Sequence, residues 1–271
     1  MTIRLIAIDV DDTLLTSHQT ISPGTKNALR EKLAQGVKVV LCSGRPLAGV
    51  RHFMTDLGIS GHDQYVITGN GAIIETAAGR ILQAQVLDRQ DYLALADFAA
   101  THQVPFNVLD THSRIYTPDR NVDRWTVVQA AENFAGLYIR QPAEMPADFQ
   151  MLKAVYVGRP DQLDAIQPAA EAAFGDLFYV VRASDNFLEV MHPGVDKGAA
   201  LQQLATLLHL AAAQVMAIGD GNNDVPMLQW AGTGVVMGNG TEAAKAGGDF
   251  ITRTNDEEGI DHALQHFADR F

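Results

Sequence analysis

Asp9, Asp11 and Asp12 put three carboxylates within four residues, directly after the apolar run at 3–8. Such a short run, rich in isoleucine, reads as a strand buried on both faces. Acids at the end of a buried strand lie at a sheet's carboxyl edge, where open α/β sheets bind ligands. Like charges this close repel, and burial adds a desolvation cost. A bound divalent cation offsets both, and oxygen-only ligands favour magnesium over zinc.

Three other readings compete on this stretch alone. It could be a solvated acidic turn. It could be a calcium loop, but Thr13, Leu14 and Thr20 stand where that loop needs an acid, a glycine and an acid. A second calcium-like start, Asp220-x-Asn222-x-Asp224, has Val225 in place of the required glycine. It could be the acidic pair of a receiver domain, although such domains are much shorter than this chain.

The flanking elements narrow the choice. Ser22-Pro23 is a helix start, with serine as N-cap and proline at the first position, and Gly36 stops that helix. Val37 to Leu41 reads as a second buried strand, running into Cys42-Ser43-Gly44-Arg45-Pro46. A helix through Val50, Phe53 and Leu57 leads to a third strand at 65–68, ending in Gly69-Asn70-Gly71. Alternating strands and helices predict a parallel sheet with right-handed crossovers. From Gly194 the rhythm resumes. A helix is expected from Lys197 to about His209, then a strand at 215–218 ending in Gly219-Asp220-Gly221-Asn222-Asn223-Asp224. A strand at 234–237 and helices near 241–246 and 256–269 follow.

The middle third has a different pattern. Strands are expected at 80–87, 104–109, 113–117, 151–157, 177–183 and 186–191, with helices near 90–102, 120–135 and 161–174. Residues 178–190 read as a hairpin turning at Ser184-Asp185-Asn186. The fold class is therefore α/β: a Rossmann-like parallel-sheet core at 1–82 and 190–271, with an inserted α+β domain at 83–189. An insertion there is expected above the strand ends, closing to exclude water and opening to release product.

Composition excludes some partners. The chain has 20 Lys+Arg against 32 Asp+Glu, a net charge of −12. So acidic a field adds no affinity for nucleic acid or an anionic membrane. No apolar run approaches the roughly 20 residues of a membrane span. Cys42 is the only cysteine, so no internal disulfide forms, and it reads as a small core hydrophobe. A strand begins almost at the N-terminus, so no leader peptide is expected, and the expected compartment is the cytoplasm.

Four stretches together resemble the haloacid dehalogenase-like phosphatases. Asp9-Val10-Asp11-Asp12-Thr13 is similar to their Asp-x-Asp-x-Thr motif, and Ser43 to the second. Lys197 in Asp196-Lys197-Gly198 is similar to the third. Residues 219–224 are similar to the fourth, Gly-Asp-Gly-x-Asn-Asp. Ser43-Gly44-Arg45-Pro46, Asn70-Gly71-Ala72 and Val236-Met237-Gly238-Asn239 resemble the Cof-type branch, which carries a C2-type cap. Leu109-Asp110 and Ile115-Tyr116-Thr117 are similar to YidA-type sugar phosphatases. One departure is Asp12, where the family commonly has glycine.

The resemblance implies a magnesium-dependent phosphatase of small phosphorylated metabolites, sugar phosphates foremost, acting through an aspartyl-phosphate. It makes Asp9 the nucleophile and Asp11 the acid and base, with Ser43 and Lys197 holding phosphoryl oxygens. Asp9, Asp11, Asp220 and Asp224 are the implied metal site. Thr13, Gly44, Arg45, Asn70, Asn223 and Asn239 are the implied substrate contacts. A phosphotransferase or phosphomutase on the same fold, and a non-catalytic regulator that binds a phosphorylated metabolite, are the rival functions. Three further histidines are weaker candidates. His192 is close in sequence to the return into the core, and His262 and His266 have metal-compatible spacing on a helix, where a solvated face is the commoner meaning.

Overall fold

The computed structural model describes residues 2–271. Every residue of β1 (Leu5–Asp9) is buried, because parallel strands flank it on both sides. The chain continues through α1 (Pro23–Ala34), β2 (Lys38–Cys42), α2 (Leu47–Leu57), β3 (Tyr65–Thr68), β4 (Ile73–Thr76) and β5 (Ile81–Ala84). Next come α3 (Arg89–His102), β6 (Phe106–Asp110), β7 (Arg114–Thr117), α4 (Arg124–Glu132) and β8 (Gly136–Ile139). β9 (Met151–Val157), α5 (Pro160–Phe174), β10 (Tyr179–Ser184) and β11 (Phe187–Met191) follow. The chain closes with α6 (Lys197–Leu207), β12 (Val215–Gly219), α7 (Val225–Trp230), β13 (Thr233–Val236), α8 (Glu242–Gly247), β14 (Phe250–Ile251) and α9 (Gly259–His266).

The chain divides into two units. The first holds 1–44, 50–84 and 196–271, and the second 45–49 and 85–195. An eight-stranded sheet ordered β14-β13-β12-β1-β2-β3-β4-β5 is the frame of the first unit. Its strands are parallel from β14 to β3, and β4 and β5 add antiparallel at one edge. The centre is packed with small and β-branched residues: Ala7, Val40 and Ala217 beside Leu201 and Leu204 of α6 and Met227 of α7. Side chains this short bring α6 close to the strands, which positions the first residue of that helix.

The second unit has its own six-stranded sheet, ordered β10-β11-β9-β6-β7-β8. All its pairs are antiparallel except β7 with β8. Leu95 and Ala99 of α3, and Leu163 and Ala170 of α5, pack with Phe106, Tyr156 and Leu188 into a separate core.

The mixed α/β fold with a parallel core follows the sequence pattern, and several details differ from it, among them residues 45–49, expected in the core but grouped with the second unit. Residues 190–195 belong to the second unit, because β11 pairs with β9 through Met191. The first sheet extends to Ala84, two residues past the expected boundary. β4, β8 and β14 arise where no strand was expected, and α4 begins only at Arg124, capped by the Asp123 carboxylate on the Trp125 N–H at 2.8 Å.

Glu75 of β4 is the buried acid nearest in sequence to the Asn70 turn. It is 4% exposed and accepts a hydrogen bond from Thr68 Oγ1 at 3.2 Å. Burial pushes its carboxyl up to about 7, against the pull of Thr68 and the Arg51 charge. The folded chain thus holds this proton more tightly than the unfolded one. The stability Glu75 contributes is full below its ordinary range near 4.5 and is lost as pH rises through about 7. Glu75→Gln removes that dependence. Chemical denaturation is expected to show the variant more stable than wild type by on the order of 2 kcal/mol at about pH 8, and near-equal at about pH 4.5. A variant less stable than wild type at the higher pH contradicts the assignment.

Candidate active site

β1 ends at Asp9 and the chain turns at once. Asp11 stays extended, with φ −75° and ψ 131°, and Asp12 is left-handed at φ 57°. The Leu15 N–H donates to the Val10 carbonyl at 3.0 Å and closes the turn. Glycine adopts such a left-handed conformation freely, and a short acid also tolerates it. The Asp12 side chain is exposed, while Val10, Thr13 and Leu14 are buried. Thr13 Oγ1 donates to Asp220 Oδ1 at 2.6 Å, tying the first loop to the one after β12.

Lys197 opens α6, with the Asp196 carboxylate capping that helix through the Ala199 N–H at 2.7 Å. Its side chain is fully buried, and Nζ donates to Asp9 Oδ1 and, at 2.7 Å, to Asp224 Oδ1. Asp224 Oδ2 accepts from the N–H groups of Asp220 at 3.0 Å and Gly221 at 2.9 Å. Gly219 makes this fold-back possible, since a Cβ there would stand 2.6 Å from Asp224 Cβ.

Electrostatics follow from burial. Desolvation and the Asp224 charge hold the Asp9 carboxyl well above the usual range, and Lys197 pulls it back down. Burial alone would lower the Lys197 ammonium, but the Asp9 and Asp224 carboxylates outweigh it and raise it. Burial pushes Asp220 up to about 6, against the Thr13 hydrogen bond, with Asp224 and Asp12 adding to the rise. Cys42 lies buried at the end of β2, its thiol pushed up to about 12 by burial. A thiol so protonated is inert.

The donor set fits a hard divalent cation. Asp9, Asp220 and Asp224 each offer a carboxylate oxygen, all within 4.8 Å of one another. Three oxygens without sulfur or imidazole suit magnesium better than zinc.

The remaining expected residues divide between the units. Ser43 is fully buried, immediately after β2, and its carbonyl accepts from the Asn70 N–H at 2.9 Å. Asn70 is left-handed at φ 59°, and its Oδ1 accepts from Asn223 Nδ2 at 3.1 Å. Gly44 lies beside them, with room for a Cβ no closer than 3.1 Å to the Asn70 amide. Asn239 Nδ2 donates to the Asp12 carbonyl at 2.8 Å, which ties it to the loop after β1. Arg45 groups with the second unit, where Nη1 donates to the Glu132 carbonyl at 3.2 Å.

The three histidines have local partners. His192 Nδ1 accepts from the Gly194 N–H at 3.2 Å. His262 and His266 stack on Phe250, and His262 Nδ1 lies 2.9 Å from Thr252 Oγ1. Asn255 was not singled out by sequence. Its Nδ2 donates to the Leu15 carbonyl at 2.8 Å, and one amide in an acidic loop carries no chemical signal.

Comparison with known proteins identifies the family. A family profile described as haloacid dehalogenase-like hydrolase matches residues 6–264. The phosphatase YwpJ of Bacillus subtilis is 34% identical over 289 aligned residues, covering 97% of this chain and 99% of its own. The 5-amino-6-(5-phospho-D-ribitylamino)uracil phosphatase YcsE of the same organism is 29% identical, covering 98% of this chain and 96% of its own. A solved haloacid dehalogenase-like hydrolase from Bacteroides thetaiotaomicron superposes with a TM-score of 0.90 at 28% identity, covering 98% of this chain and 99% of that one. The chain belongs to the haloacid dehalogenase-like hydrolases. Within that family it is a phosphatase.

Asp220 gives a test of the metal site that does not depend on turnover. A cation must displace the Asp220 proton at low pH, so magnesium affinity is expected to fall as pH drops through about 6. Calorimetric titration with magnesium across that range checks it. Thr13→Val removes the hydrogen bond that favours the ionised form, so the midpoint moves to higher pH. An unmoved midpoint contradicts the role of Thr13.

Proposed function

We propose that this phosphatase hydrolyses small phosphomonoesters, sugar phosphates among them, with Asp9 as nucleophile and magnesium as cofactor. The observation that carries the reading is the buried Lys197 ammonium, hydrogen-bonded at once to Asp9 and Asp224 at the end of β1. A lysine at the first position of a helix is poorly placed electrostatically unless anions compensate. Here two carboxylates compensate it, and a phosphoryl group would be a third anion within its reach.

Each residue has a task in this reading. Asp9 must be ionised to attack, and Lys197 opposes the burial that would protonate it. One Asp9 oxygen forms the bond to phosphorus as the bond to the leaving oxygen breaks. Asp11 gives its proton to that oxygen. It then takes a proton from water, whose oxygen attacks phosphorus and breaks the bond to Asp9. The products are the alcohol and inorganic phosphate, with Asp9 and Asp11 restored. Lys197 and the Ser43 hydroxyl hold phosphoryl oxygens as charge develops on them. Asn223 donates its amide to Asn70 Oδ1, which leaves the Asn70 NH2 and the Asn223 oxygen for substrate in this reading. Gly44 gives the phosphate access to backbone beside Ser43.

Magnesium, held by Asp9, the Asp11 carbonyl and Asp220 with Asp224 in support, would neutralise part of the phosphate charge. The substrate class is supported by the YcsE name, which specifies a phosphorylated ribityl compound. The second unit, inserted between β5 and α6, is the element we assign to substrate selection, as a cap. No helix of the described residues is long and apolar enough to cross a membrane.

The test is a panel of sugar phosphates, nucleotides, a phosphopeptide and a phosphodiester, compared by kcat/KM with magnesium and after chelation. Sugar phosphates are expected to lead, with modest differences among them, and chelation to abolish turnover until magnesium is returned. Asp9→Asn is expected to fold and to keep less than about 1% of activity, a loss beyond about 3 kcal/mol of barrier. Preference for the diester or phosphopeptide, or activity untouched by chelation, contradicts the proposal.

A further inference from the structure

Three residues near the end of the chain, Asn255, Asp256 and Glu258, reach back to the stretch from Leu15 to the first turn of α1. Asn255 Nδ2 donates to the Leu15 carbonyl at 2.8 Å, and the Asn255 N–H donates to Asn239 Oδ1 at 3.0 Å. Asp256 Oδ1 accepts from the Ser17 N–H at 2.9 Å. The Glu258 carboxylate accepts from the Gly24 N–H at 3.1 Å and the Thr25 N–H at 2.8 Å, and so caps α1. The loop after the nucleophile is therefore tied down from outside, at intervals, by one distant segment.

The first of these ties bears on chemistry. Asp12 is left-handed, a conformation that costs a non-glycine residue about 1 kcal/mol or more. It persists only where the surroundings over-determine it. Asn239 Nδ2 supplies one constraint through the Asp12 carbonyl at 2.8 Å. Asn255 supplies the other two. Its N–H occupies Asn239 Oδ1, so the Asn239 amide must turn its NH2 toward Asp12. Its own Nδ2 fixes Leu15, whose N–H closes the turn onto Val10.

We infer that Asn255 is a positioning residue for the catalytic loop. It orients Asn239 and anchors Leu15, keeping Asp12 left-handed and Asp11 in place two residues past Asp9. The inference rests on the proposal that Asp9 and Asp11 carry the reaction. It acts through the loop backbone rather than on the reacting atoms. The tie needs an amide NH2, which an aspartate cannot supply.

Asn255→Asp keeps the shape and loses the donor, and Asn255→Ala loses both. Each is measured for kcat and KM on the best sugar phosphate, and for amide exchange by NMR. The expected result is a fall in kcat of about tenfold or more, with KM changed less than about twofold. The Leu15 amide is expected to exchange at least about tenfold faster, while the amides of β2 are unchanged. Adding Asp12→Gly to Asn255→Ala should recover part of kcat, because glycine holds the left-handed turn without help. Wild-type kcat and Leu15 exchange in Asn255→Asp would overturn the inference. So would a fall in kcat without faster Leu15 exchange, or faster exchange spread evenly through the first unit. Turnover retained by Asp9→Asn would instead remove the underlying reading, and the exchange data would still decide whether Asn255 holds the loop.

Discussion

A lysine ammonium with no exposure to water, shared by two carboxylates, is the constraint on which the first unit depends. Taking three charges out of water costs several kcal/mol per ion, and their attraction returns that only with close geometry and further hydrogen bonds. Here the further bonds exist. Asp224 accepts from two backbone N–H groups through its other oxygen, and Lys197 sits behind a capped helix end. Hydrophobic residues of similar volume would serve stability as well or better. A buried arrangement of this kind is therefore better accounted for by charge that must be available to a ligand.

The scaffold meets this constraint with short side chains and reversals of the chain. Ala7, Val40 and Ala217 leave α6 room to approach the central strands. Gly219 lets Asp224 fold back over the end of β12, and Gly198 fits against Pro226, where a Cβ would lie 2.6 Å from the carbonyl oxygen. The two left-handed non-glycine residues beside the site, Asp12 and Asn70, are both held by amides from other parts of the chain. At these two positions tertiary hydrogen bonds sustain the strained backbone where the polar groups converge.

The sequence was most legible where burial changes abruptly. β1 stops at Asp9 and β12 at Gly219, and each boundary separates an apolar run from carboxylates. Parallel strands buried on both faces make such runs continuous, so their ends are visible without an alignment. β4 was hidden because it follows β3 as an antiparallel neighbour after a tight turn, breaking the strand–helix alternation. β8 was hidden because it is an edge strand whose side chains are largely exposed, so no apolar run marks it. The ties made by Asn255 and Glu258 were hidden for another reason. Each depends on hydrogen-bonding partners more than two hundred positions away, which no local pattern encodes.

Lys197 neutralises Asp9 and Asp224, and the stability of Lys197→Met against pH, without magnesium, tests this. Removing the cation leaves two carboxylates buried together, and breaking such a pair costs about 3–5 kcal/mol. Protonation relieves that repulsion, so the deficit relative to wild type is predicted to be small near pH 5 and to grow toward about pH 8. Magnesium should then recover part of it by substituting one positive charge for another. A deficit that is absent, or that does not change across this pH range, would contradict the account.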